Sequence, residues 1–139
     1  MMIETAAETD QLAAVVSDGA GAQSTAEDTD EVDPSPLGKW TLGLAQSVVK
    51  TATVAVTSNT SPPANLKDLA AKVEQPMLLI AAPNAPTGEK LNRGYRAAAG
   101  ESATLWEIPE ADHMGGQTAR PAEYERRVVG FFARALEAR

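Results

Sequence analysis

Between Pro76 and Pro83 stands an unbroken apolar run, Met77-Leu-Leu-Ile-Ala-Ala82, and it limits the possible folds more than any other stretch of the chain. Six residues make a strand's length and fall short of a globular helix, and a strand wetted on one side would alternate apolar with polar. With nothing polar on either side, this strand requires cover on both faces, the condition met in a parallel sheet layered between helices. A second run is continuously apolar in the same way, and a third stretch reads as a strand. Leu12-Ala-Ala-Val-Val-Ser17 is stopped by Asp18-Gly-Ala-Gly21, and Ala103 to Ile108 is stopped by Pro109.

The segments between these runs carry helical periodicity. Met1 to Thr9 reads as the end of a helix, with Met2, Ile3, Ala6 and Ala7 apolar and no capping residue or turn before it. Leu37 to Thr57 places Trp40, Leu44, Val48, Val49, Ala52 and Val56 near helical spacing, and Ser58 to Pro63 breaks the pattern. Asn65 is placed to cap a short helix striped by Leu66, Leu69, Ala70 and Val73, with Asp68 where a capping box needs its acid. Thr87 is placed to cap a helix with Leu91, Tyr95 and Ala98 on one face, ended by Gly100. Pro121 opens a last helix in which Tyr124, Val128, Phe131, Phe132, Ala135 and Leu136 form the apolar side and Glu123 pairs with Arg127. Strands alternating with helices predict the α/β class: a three-layer parallel sheet with right-handed crossovers and helices on both faces.

Charge and composition exclude several functions. A chain of 139 residues supports one core, and 12 basic against 19 acidic residues give a net charge of -7, which argues against a nucleic-acid or anionic-membrane surface. The imbalance is confined to residues 1–75. There Glu27, Asp28, Asp30, Glu31 and Asp33 crowd together without a basic partner, a pattern that reads as a solvated loop because the glycine and closing glutamate of a calcium loop are missing. Without cysteine there is no disulfide framework, thiolate metal site or cysteine nucleophile. No run approaches the roughly 20 apolar residues of a membrane span, and no motif calls for a cofactor or metal.

In a parallel sheet the loops that leave the carboxyl ends of the strands gather at one rim. Asp18, Asn84 and His113 all lie in such loops, and His113 is the only histidine. A histidine at that rim acts as general base if a nucleophile and an orienting acid stand close; otherwise it does no more than hydrogen-bond its loop.

Pro76-Met-Leu-Leu-Ile-Ala-Ala82, the helix ending in Ala-Ala-Ala-Gly100, Leu105-Trp-Glu-Ile-Pro109, Ala111-Asp-His-Met-Gly-Gly116 and Pro121-Ala-Glu-Tyr-Glu-Arg-Arg-Val-Val-Gly-Phe-Phe132 together resemble the last strands and helices of the α/β-hydrolase fold. The resemblance implies that the three strands are the sixth, seventh and eighth, and that His113 is the catalytic histidine of a serine hydrolase acting on an ester or similar acyl substrate. It implies an acid after the seventh strand, for which Glu89 stands ahead of Asp18. Asn84 comes earlier in the same loop and is able to orient an imidazole, but not to offset its charge. Asp112 stands where family members often have glycine.

The family's nucleophile elbow, Gly-x-Ser-x-Gly, occurs nowhere in these residues, and Ser17 lacks the elbow glycines. On this resemblance residues 1–139 are the carboxyl-terminal part of a single hydrolase domain, with 23–61 as a cap-like insertion and the missing amino-terminal half as partner. The competing reading is a non-catalytic α/β module that binds a partner or small ligand. The strand-loop placement of the three residues leads to one geometric expectation: the His113 imidazole lies at the carboxyl-end rim within hydrogen-bond reach of Glu89 or Asp18.

Overall fold

The computed structural model describes residues 2–23, Glu27, 64–85 and 89–137, and every structural statement below concerns those residues. Three parallel strands form one sheet in the order β1 (Val15–Asp18), β2 (Met77–Ala81), β3 (Ala103–Glu107). Val15 stands opposite Met77, which in turn stands opposite Ala103. The ladder continues past the strand ends, since Gly19 N donates to Ile80 O at 3.0 Å and Ile108 N to Ala81 O at 2.8 Å. The central β2 is buried at all five positions, as its unbroken apolar run requires.

Side-chain alternation divides the core into two layers. Met77 and Leu79 of β2 face a cluster with Val15 and Ala103, built up by Ile3 and Ala6 of α1 (Met2–Glu8), Leu66, Leu69 and Ala70 of α2 (Leu66–Ala70), and Tyr95 of α3 (Asn92–Ala99). Leu78 and Ile80 face the other way, onto Trp106, Ile108 and Ala111, and are covered by Tyr124, Val128 and Phe131 of α5 (Pro121–Glu137). The chain therefore folds as a three-layer α/β unit with helices on both faces. A turn of 3-10 helix, Glu89–Leu91, leads into α3, another at Gly100–Ser102 leads into β3, and a short α4 (Gly116–Ala119) precedes α5.

Four expectations change. Strand β1 begins at Val15 rather than Leu12 and ends on Asp18, so the acid is the strand's last residue and not a turn-former. Asn65 makes no side-chain capping bond; its Nδ2 reaches Asp68 Oδ2 at 3.4 Å instead. The acceptor at that helix start is Glu27, whose Oε1 takes the Lys67 N–H at 3.0 Å while Oε2 takes that of Gln23 at 3.1 Å. Glu27 is accordingly buried and not part of a solvated acidic loop: a carboxylate at a helix start meets both unsatisfied N–H groups and the positive end of the dipole. Finally, Phe132 and Leu136 do not share the inner face of α5. Tyr124, Val128, Phe131 and Ala135 follow helical spacing inward, and residues one position further on are turned about 100° away. Phe132 and Leu136 are therefore exposed, as is Val129.

The helix expected at Leu37–Thr57, the break at Ser58–Pro63, most of the cap-like insertion over 23–61 and the Thr87 cap lie outside the described residues. Among the described residues no helix is long and apolar enough to cross a membrane.

Candidate active site

The three loops after β1, β2 and β3 meet at the carboxyl-end rim. After β3 the chain runs through Ala111, whose N–H is held by Ile108 O at 3.1 Å, into a tight turn closed by Gly115 N donating to Asp112 O at 2.8 Å. His113 and Met114 occupy the corner of that turn. Met114 takes a positive φ of 54°, uncommon outside glycine, and a Cβ on Gly115 would lie 2.9 Å from Asp112 O. Arg120 braces the loop through Glu110 at 2.5 Å and Glu123 at 3.3 Å, tying it to the start of α5.

His113 is half-exposed at this corner, and its Nδ1 stands 2.7 Å from Oε1 of Glu89, a residue with no side-chain exposure. Glu89 Oε2 accepts the backbone N–H of Ala82, the residue just past the end of β2. The two oxygens of one buried carboxylate are thus spent on the strand end and on the imidazole. A carboxylate only accepts, so Nδ1 carries the hydrogen and Nε2 is the acceptor nitrogen of the neutral ring. The arrangement orients an imidazole and provides a counter-charge for its protonated form, which is the task of the acid in a base-activated nucleophilic site.

Asp18 lies close to this pair but is engaged elsewhere. It points to the α5 side of the sheet, where its Oδ2 accepts the Tyr124 hydroxyl at 2.9 Å. Burial raises its pKa above the usual carboxylate value, and the nearby Glu89 raises it further; the Tyr124 hydrogen bond and His113 act in the opposite direction and do not prevail. Tyr124 in turn is pushed up to about 12, by burial first and then by Asp18. Asn84 does not serve the imidazole. Its Nδ2 donates to Pro109 O at 3.0 Å and joins the second loop to the third. Ser17 is buried within β1, opposite Leu79.

Two contributors carried no signal in the sequence. One is the Ala82 N–H, since a backbone donor is independent of residue type. The other is Gly19, with φ of 70°: a Cβ there would lie 3.2 Å from Cε1 and 3.3 Å from Nδ1 of His113, and 2.7 Å from Cγ of Met114. The ring therefore rests against bare backbone. The Asp18-Gly19 pair reads in sequence as an ordinary turn, and only the packed loop shows what the missing side chain makes room for.

These features define the class of fold: an α/β fold of hydrolase-like type, with a three-stranded parallel sheet layered between helices. Among solved structures the chain is similar to the esterase Pf2001 of Pyrococcus furiosus in three crystal forms. One form gives a TM-score of 0.62 at 17% identity over 96% of this chain. The other two give TM-scores of 0.63 and 0.61 at 15% identity over 95% of this chain. The chain spans about half the length of those structures, 48% in each case. No family model matches the sequence, and no curated protein matches it.

Proposed function

We propose that this chain supplies the histidine and the acid of a serine hydrolase of the α/β-hydrolase type that acts on an ester or similar acyl bond. The observation that carries this reading is the 2.7 Å contact between His113 Nδ1 and the fully buried Glu89 at the carboxyl-end rim. Histidine is the base: Nε2 takes the proton of a serine hydroxyl as its oxygen attacks the acyl carbon, then returns it to the departing alcohol. Water repeats the cycle on the acyl-enzyme. Glu89 holds the ring and offsets the imidazolium charge, whereas Asp18, bonded to Tyr124, contributes background charge and not the orienting bond. The serine comes from residues outside these 139, because no Gly-x-Ser-x-Gly occurs among them.

The test is to express the coding sequence upstream of Met1, in frame, together with this chain, and to assay p-nitrophenyl acetate. Activity is expected in the longer protein and absent from the 139-residue chain. His113→Ala should lower kcat/KM by about 10³-fold or more, in the range found when the base of a triad is removed. Full activity in His113→Ala, or ester hydrolysis by the 139-residue chain that depends on His113, would overturn the assignment.

A further inference from the structure

At the head of α3 a polar side chain is sealed completely from solvent. Asn92, the first residue of that helix, has no exposure, and its Nδ2 donates to Ala20 O at 2.7 Å and to Glu89 O at 2.9 Å. The first carbonyl lies in the loop after β1 and the second is the backbone of the acid itself. Asn92 is not acting as a helix cap, because a cap accepts from backbone N–H groups through its oxygen, whereas this amide gives both of its hydrogens to carbonyls. One turn along the same face, the Tyr95 hydroxyl donates to Gly21 O at 3.2 Å and holds the same loop again.

The loop held in this way contains Gly19, the backbone against which the His113 ring rests. The imidazole is therefore fixed by two surfaces, the Glu89 carboxylate at Nδ1 and the Gly19 backbone at the ring edge, and both are tied to one planar amide. The two N–H bonds of an amide diverge at a fixed angle, so the separation of their acceptors is fixed as well. We propose that Asn92 is a positioning residue for the His113–Glu89 pair: it sets the distance between the acid and the loop that seats the imidazole. Its effect reaches the ring only through these neighbours. The inference rests on the reading of His113 and Glu89 as base and acid.

The sole histidine makes this measurable without activity. In the 15N-labelled 139-residue chain, the nitrogen shifts of the neutral His113 imidazole report which nitrogen carries the hydrogen. Wild type is expected to hold the Nδ1–H form. Glu89→Leu removes the acceptor and should abolish that preference; if it does not, the pairing of base and acid fails and this inference falls with it. If Glu89→Leu acts as expected, Asn92→Ala decides the positioning role. The share of the Nδ1–H form should fall by about two-fold or more, with the far-UV circular dichroism of the wild type retained. Tyr95→Phe, which frees Gly21 and leaves Glu89 held, should keep the wild-type tautomer. An Asn92→Ala chain that is folded and has the wild-type tautomer overturns the proposal, as does a Tyr95→Phe chain that loses it equally. Should Asn92→Ala not fold, Asn92→Ser is measured in its place, since one hydroxyl hydrogen cannot bridge both carbonyls: a shifted tautomer supports the proposal and an unchanged one overturns it.

Discussion

Tyr124 shows how one side chain links the sheet to the helix above it and leaves a trace in the pH dependence of stability. Its hydroxyl is bonded to Asp18 and its titration is pushed up to about 12. An unperturbed tyrosine titrates near pH 10, so between about 10 and 12 the folded chain retains a proton that the unfolded chain has released. This contribution to stability is complete below about pH 10 and is lost as pH rises through about 12. Urea unfolding measured across that window should therefore show wild-type stability falling more steeply than that of Tyr124→Phe; parallel curves would remove the link. At this scale His113 was legible because it is the only histidine and stands between a strand and a helix. Spacing alone did not separate Glu89 from Asp18, since both stand at or just past strand ends, and only the resemblance put Glu89 first; which of them meets the ring depends on which carboxylate the folded backbone turns toward it. Asn92 was equally hidden, since a polar residue in a first helical turn looks like many surface residues.

Among the elements, β2 and α2 show opposite relations to local sequence. For β2 the apolar run alone dictates the result, and Leu79 at its centre is fully buried. Leu79→Ala should cost about 2–5 kcal/mol in urea unfolding, the transfer loss together with the cavity left behind. Helix α2 looks locally self-sufficient and is not. Its start is satisfied by Glu27, forty residues earlier, and not by the Asn65 side chain. Glu27→Ala is expected to cost about 0.5–2 kcal/mol, the range of a lost cap, while Asn65→Ala should cost much less. Equal losses would mean that the local capping pattern matters after all. Three strands, helices α2 and α3 between them and the class of fold were readable from periodicity, because apolar spacing is a local property. Long-range capping was not, because a carboxylate forty residues away leaves no spacing to read.

For the molecule as a whole, the sheet order leaves β1 paired on one side only among the described residues, and α5 displays Val129, Phe132 and Leu136 to solvent. A free strand edge and an exposed apolar stripe are both surfaces on which another polypeptide packs. If the proposed upstream half of the domain covers them, the 139-residue chain alone should associate at micromolar concentration in sedimentation velocity, and the longer protein should be monomeric. Val129→Glu combined with Leu136→Lys should reduce association of the short chain and change its stability by no more than about 1 kcal/mol, as for exposed positions. A short chain that sediments as a monomer throughout would speak against this account.

The bond from the Ala82 N–H to Glu89 has one more consequence, and it concerns time. The amide that steadies the acid is simply the next one along after the last residue of β2. A slip of β2 by one residue would carry that amide about 3.3 Å along the strand and turn Leu78 and Ile80 toward the wrong layer. The imidazole therefore has no settled place in a half-folded chain. During refolding, the His113 resonance should sharpen in step with the slowest-exchanging amides of β2 and never ahead of them, so that a competent base exists only in molecules whose central strand has already found its register.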